Sequence, residues 1–233
     1  IQTILDRFKI PYTHSSAIAS SIAMDKEISK KLFIKNKIKT PKFFTYSYDI
    51  AKSNLIKKIN KNLSFPVVIK PLNEGSSVNV YISSKKTLDK ILYKLKVYKK
   101  VLIEEFIGGR EIQVAIMGDK KLGAIELKPK RKFYDYQAKY DTKSKTQHII
   151  PVDLPKSKFN KVMDIAYKAH RIIGCRGVTR SDFKFFNGNF YLLELNTQPG
   201  MTKLSLVPEI ALYRGISFLK LIEWMLKDAS KKK

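Results

Sequence analysis

Residues 192–205, LLELNTQPGMTKLS, set a carboxylate, Glu194, and an amide, Asn196, two positions apart at the end of an apolar run. Side chains alternate across a strand, so both face the same side. A second strand-like run carries Arg180 and Asp182 and is joined to the first by Asn187-Gly188-Asn189. Turn length decides the pairing. A two-residue Asn-Gly turn sets Asp182 opposite Leu193; a three-residue turn sets it opposite Glu194. The three-residue turn also pairs Phe183 with Leu193 and Phe185 with Tyr191, and the apolar pattern favours it. Leu193 and Leu195 then pack behind, and the polar face carries Arg180, Asp182, Glu194 and Asn196. Three oxygen donors, two of them carboxylates, suit a hard cation such as Mg²⁺, which completes its shell with water and substrate phosphates. The plain alternative is a solvated face with Arg180 paired to Asp182 or Glu194. Pro199-Gly200 ends the strand and turns the chain.

Two further stretches carry chemistry-bearing types. KPLNEGSSVN places Lys70 at a strand end before Gly75-Ser76-Ser77. Backbone N–H groups and hydroxyls in such a loop can wrap phosphate oxygens, and the Lys can neutralise them. The order is not that of a Walker A loop, and an ordinary surface loop has the same composition. FYDYQAKYDTKSK, within residues 130–148, is polar and aromatic without a period. It reads equally as a lid over a phosphorylated substrate or as a lysine-rich loop. His14, His148 and His170 have no metal-type spacing, and His170 reads as a packed or solvated helix residue. No Ser-His-Asp or Cys-His set stands out.

The elements that must position these residues follow from pattern. The spacing predicts one helix over 15–38, broken by Pro41, and a second over 49–62. Strands are expected at 65–71, at VYIS near 80–83 and at 101–107, with a helix over 84–96. Residues 110–118 and 121–129 read as a hairpin, 156–173 as a helix, 176–196 as the hairpin above and 215–227 as a final helix. Mixed helices and antiparallel strand pairs give an α+β class, with a boundary near 105–109.

Composition bounds the rest. The chain has 233 residues, 44% of them hydrophobic, enough for one large domain or two smaller ones. The net charge is +26, but only seven of the 46 cationic side chains are Arg, and they are scattered. No basic recognition helix is evident, so the charge does not point to nucleic acid; an anionic small substrate fits it equally. No run is long and apolar enough for a membrane helix. Cys175 is the single cysteine, which excludes an internal disulfide and reads as a small buried residue.

Taken in order, MDK (24–26), FPVVIKPLNEGSSVNV (65–80), VLIEEFIGGREIQVAI (101–116), FYDYQAKY (133–140), TRSDF (179–183) and LLELNTQPGMTKLSLVP (192–208) resemble the D-alanine–D-alanine ligases across essentially the whole chain. The resemblance implies an ATP-grasp fold: two α+β subdomains with the nucleotide between them, at 15–104 and 105–233, and residues 1–14 as the end of an N-terminal substrate domain. It implies ATP-dependent joining of two D-alanines through an acyl phosphate, for peptidoglycan precursors, in the cytoplasm and as a homodimer. Lys26 and Lys70 match phosphate-binding lysines. Glu104, Glu105, Phe106 and Ile107 match the adenine-holding segment, and Glu111 the ribose carboxylate. Ser76 matches the serine near substrate and loop, and Lys139 and Tyr140 match the mobile loop's phosphate-contacting Lys and active-site Tyr. Asp182, Glu194 and Asn196 match the ligands of Mg²⁺ (Mn²⁺ being the alternative), with two ions implied. Arg180 and the Gly200 N–H match the oxyanion-stabilising pair, and Ser205 and Leu206 the second substrate's carboxylate site. Asn79 stands where the family has Gly, so the loop is expected to be stiffer there. Two other readings remain: an ATP-binding remnant without ligase activity, and a relative that adds D-lactate or D-serine.

Overall fold

A computed structural model describes residues 1–128, 146–202 and 204–230. The chain runs α1 (Gln2–Arg7), α2 (Ala17–Met24), α3 (Lys26–Lys35), β1 (Phe43–Ser47), α4 (Lys52–Asn62), β2 (Val67–Pro71), β3 (Tyr81–Ser83) and α5 (Leu88–Leu95). It continues as β4 (Lys100–Glu105), β5 (Arg110–Met117), β6 (Lys120–Lys128), β7 (Gln147–Ile149), α6 (Lys156–Ile173), β8 (Val178–Phe186), β9 (Asn189–Asn196), α7 (Leu206–Tyr213) and α8 (Phe218–Ala229). The α+β expectation holds. One sheet has the order β1-β4-β2-β3 and the other β7-β6-β5-β8-β9, and the strand pairs are antiparallel.

The helix expected over 15–38 is two helices. Asp25 leaves the helical conformation and its carboxylate accepts from the N–H groups of Glu27 and Ile28, capping α3. A capping Asp directly after Met24 is a stop signal that the apolar spacing masks. The break turns α3 so that Lys26 and Lys30, one turn apart on one face, are both buried. Four elements are not expected from the pattern: α1, β1, β7 and α7. Pro208 sits at the third position of α7, where a missing N–H breaks no helical hydrogen bond.

Each sheet buries one or both faces. Val67, Ile69, Val101 and Ile103 of the first pack with Leu55 and Ile59 of α4 and Leu88 and Leu95 of α5. In the second, Ile112, Val114 and Phe183 pack with Ala19, Phe33, Val162 and Ala169, so α2, α3 and α6 cover that face. Ala115, Met117 and Ile125 alternate to the opposite face and meet Ile210, Leu221 and Met225 of α7 and α8. Gly123 permits that contact, since a Cβ there would lie 2.7 Å from Ile210 Cγ2. Among the described residues, no helix is long and apolar enough to cross a membrane. Cys175 is only partly buried, at the edge of the α6 core, and desolvation pushes its thiol up to about 11.

His170 on α6 is 2% exposed and its Nδ1 lies 2.8 Å from Thr179 Oγ1. Burial and then the neighbouring Arg171 push its pKa down to about 4, against weaker opposing effects from Asp119 and Asp228. The unfolded chain therefore takes up this proton first. The associated stabilisation is complete above the unfolded value of 6.5 and is lost as pH falls through the window toward 4, reaching about 3 kcal/mol. Urea midpoints measured from pH 7 to 4 should fall across that window in the native sequence, and His170→Gln should flatten the fall. An equally steep fall in the variant would show that other groups carry it.

Candidate active site between the two sheets

The β8–β9 hairpin departs from expectation and still delivers the expected pair. The turn is the two-residue Asn187-Gly188, with φ of +46° and +72°, the left-handed pair that matches strand twist and that Asn-Gly tolerates. Pairing runs Phe186 to Asn189, Phe185 to Phe190, Lys184 to Tyr191 and Phe183 to Leu192. A bulge then slips the register, and Asp182 lies opposite Glu194, Ser181 opposite Leu195 and Arg180 opposite Asn196. The Phe183–Leu193 and Phe185–Tyr191 pairs therefore do not form. Leu193, the extra residue, does not pack behind the sheet with Leu195. It lines the same cavity as Glu194, while Phe190, Leu192 and Leu195 are buried.

That cavity holds about 750 Å³ of empty space including its mouth. Val68, Lys70, Glu104 and Glu105 enter from the first sheet, Phe106 and Ile107 from the link between sheets, and Glu111, Asp182, Lys184, Leu193 and Glu194 from the second. Lys26 and the loop residues Glu74, Ser77 and Val80 complete the wall. Apolar Val68, Val80, Ile107 and Leu193 can sandwich a flat ring, and the charged groups can meet a polar tail. Glu111 accepts from Lys184 Nζ at 3.0 Å.

Each lysine is paired with a carboxylate. Lys70 Nζ is 2.5 Å from Glu104 Oε1, Lys30 Nζ is 2.9 Å from Glu104 Oε2, and Lys26 Nζ is 3.6 Å from Glu194 Oε2. Burial lowers the pKa of Lys26, offset by Glu194 and reinforced by the Lys70 charge. Burial takes Lys30 down to about 8, against the pull of Glu104. Burial pushes Glu104 up, but Lys30 and Lys70 together outweigh it and hold the carboxyl below its usual range.

Lys26 also ties down the 73–79 loop. Its N–H donates to Leu72 O and its Nζ to Glu74 O at 2.5 Å. Ser76, Ser77 and Asn79 all have positive φ, near +55°. At Asn79 that is a backbone region which Gly and Asn adopt more readily than other residues. The Asn79 amide donates to the Tyr98 hydroxyl at 2.7 Å and accepts from Tyr81, which ties the loop there to two tyrosines.

A second compartment adjoins the first through Asp182 and Glu194. It is lined by Ser76, Gln113, His148, Arg180, Asn196, Gly200, Ser205 and Leu206, among others. Arg180 donates to Asp182 through Nε at 2.8 Å and Nη2 at 3.0 Å. The Arg–Asp pair of the plain alternative thus forms, but with Asp182 buried at 5% exposure and Arg180, Glu194 and Asn196 partly buried. Gly200 closes on Ser205, whose Oγ a Cβ would approach to 2.8 Å. The Ser205 hydroxyl accepts from Thr202 N–H, pinning the turn before α7. His148 on β7 pairs with Glu209 of α7 at 2.7 Å.

Among the described residues, no cluster of three or more His, Cys, Asp or Glu side chains forms a metal centre. The donors that converge are two carboxylates and an amide. Asn196 donates weakly to Arg180 O at 3.5 Å, which leaves its amide oxygen as an acceptor. Two cation-paired carboxylates plus an amide oxygen fit a divalent cation that brings its own phosphate and water ligands. Lys139 and Tyr140 lie outside the described residues. Sequence reasoning missed Lys30, one helical turn from Lys26 on the same face of α3. It also missed Gln113, directly opposite Asp182 in the β5–β8 ladder. With its amide nitrogen turned toward Asp182, Gln113 donates to that carboxylate.

The comparisons with known proteins agree with this geometry. The family model described as "D-ala D-ala ligase C-terminus" matches residues 32–227. A D-alanine–D-alanine ligase of Pelagibacter ubique is 70% identical over 230 residues, covering 99% of this chain and 76% of that protein. The Rhodospirillum rubrum enzyme of the same name is 40% identical, covering 98% and 74%. Crystal structures of the Bacillus anthracis D-alanine–D-alanine ligase superpose with TM-scores of 0.85 at 33% identity and, complexed with ATP, 0.82 at 29%. They cover 98% of this chain and 74% and 73% of theirs. A two-sheet α+β frame, a cavity between the sheets walled by lysines and carboxylates, and matches along nearly the whole sequence converge on one conclusion: this chain belongs to the D-alanine–D-alanine ligase family, with the ATP-grasp fold.

Proposed function

We propose that this protein joins two D-alanines at the expense of ATP, supplying D-alanyl-D-alanine for peptidoglycan precursors. The observation that carries the reading is the pair of adjoining compartments that share Asp182 and Glu194 as a common wall. One suits a nucleotide and the other suits small zwitterions, and transfer of a phosphoryl group needs them to meet. In this reading Val68, Glu104, Glu105, Phe106 and Ile107 hold the adenine, and Glu111 the ribose. Lys26, Lys70 and Lys139 bind phosphates. Asp182, Glu194 and Asn196 hold Mg²⁺, which when bound offsets charge on the transferring phosphoryl group.

The chain's own residues then do the remaining work. A carboxylate is a poor electrophile, and the lysines stabilise the charge that moves when it is phosphorylated. Arg180 and the Gly200 N–H stabilise the oxyanion that forms when the second amine attacks the acyl phosphate. Ser205 and the N-terminus of α7 hold the second carboxylate. Ser76 and Tyr140 position the amino-acid substrates. The subdomain division follows the sheets, with a nucleotide between them.

The test is phosphate release by the intact gene product. Release should require both ATP and D-alanine, with D-Ala-D-Ala as the product. Release with D-lactate or D-serine but not with D-alanine as second substrate would assign the chain to another ligase of the family. ATP binding with no release at all would make it a non-catalytic relative.

A further inference from the structure

Lys30 is a fully buried cation that the proposed reaction does not use. Its side chain is 0% exposed. Its ammonium touches Glu104 Oε2 at 2.9 Å, donates to Thr40 Oγ1 at 2.6 Å and lies 5.5 Å from the centre of the Phe43 ring. Glu104, 3% exposed, is thus shared between Lys30 on one oxygen and Lys70 on the other. The two lysines differ in access. Lys70 and Glu104 line the cavity between the sheets, whereas Lys30 does not.

A buried carboxylate stripped of its cation is strongly unfavourable. If Lys70 is to turn toward an incoming phosphate, Glu104 must retain a counter-ion. We infer that Lys30 is a positioning residue that keeps Glu104 neutralised, so that Lys70 is free to be shared with the nucleotide's phosphates. This inference rests on reading the cavity as a nucleotide site. Without Lys30, Glu104 has Lys70 as its remaining close cation, and every phosphate must compete with that carboxylate. The loss then falls on phosphate recognition, not on the base. A residue that merely fills space would weaken both alike.

The experiment compares ATP and adenosine binding to the intact protein by calorimetry. Lys30→Met keeps the length of the side chain and removes the charge. It should weaken ATP about tenfold and leave adenosine within about twofold. In a Glu104→Gln background, where no carboxylate needs a counter-ion, the same change should cost no further phosphate affinity. Thr40→Val removes an anchor of the Lys30 ammonium while leaving its charge, and should move ATP in the same direction by about two- to threefold. It decides the matter if Lys30→Met does not fold. Equal weakening of ATP and adenosine, or an additive loss on Glu104→Gln, would overturn the inference. Failure of the native protein to bind ATP would overturn the nucleotide-site reading itself, and the inference with it.

Discussion

Glu194→Gln should reduce turnover by roughly a thousandfold or more while the urea midpoint stays nearly unchanged. The change preserves shape and deletes one negative charge at the wall shared by the two compartments. The fold has little reason to notice. Glu194 is half-buried on β9, and the hydrophobic packing of that strand comes from Phe190, Leu192 and Leu195. The ion pair it forms with Lys26 is long, at 3.6 Å, and Lys26 keeps its bond to Glu74 O. Chemistry should suffer, because an amide oxygen is a weaker ligand for a hard divalent cation than a carboxylate. Steady-state phosphate release with titrated Mg²⁺, alongside urea denaturation, separates the two effects. Turnover within a few-fold of native at saturating Mg²⁺ would remove Glu194 from the metal site.

The hairpin shows which kind of information a sequence carries. Types and spacing identified four polar residues that line one compartment, and the opposition of Asp182 and Glu194. The route was wrong: a tight Asn-Gly turn and a bulge at Leu193 replace the single wider turn. A bulge adds one residue to one strand and leaves no mark in apolar periodicity, since Leu193 is as apolar as its neighbours. Its effect is functional, because it turns two successive residues, Leu193 and Glu194, into one cavity. Likewise, apolar spacing runs unbroken through Asp25, and only the cap it provides splits α2 from α3. α7 was hidden by Pro208, a residue that breaks helices everywhere except in the first turn. Lys30 was illegible as a site residue for a different reason. Its partner Glu104 lies 74 positions away, and nothing local announces that a lysine on an amphipathic helix will be buried against it.

Gly109→Ala should destabilise the protein by about 3 kcal/mol, whereas Gly108→Ala beside it should be nearly silent. Residues 106–109 carry the chain from β4 of one sheet to β5 of the other, with Phe106 and Ile107 on the cavity wall just before and Glu111 just after. Gly109 has φ of +83°, and a Cβ on it would lie 2.3 Å from the Phe185 carbonyl oxygen. That oxygen belongs to the backbone of β8, paired with Arg110 in the ladder, so no side-chain movement relieves the clash. Gly108 has no such constraint, for its Cβ would meet only Phe186 ring atoms at 3.8 and 4.0 Å, ordinary contact distances. Relief at Gly109 must come from shifting the start of β5 away from β8, and that shift carries Glu111 away from its Lys184 partner on β8. The variant that still folds should therefore bind ATP more weakly than the Gly108→Ala protein. Denaturant unfolding and nucleotide calorimetry on the two alanine variants provide the comparison. Equal stability in both would mean that the junction yields without disturbing the ladder, and that the glycine is not what fixes the two halves of the nucleotide wall.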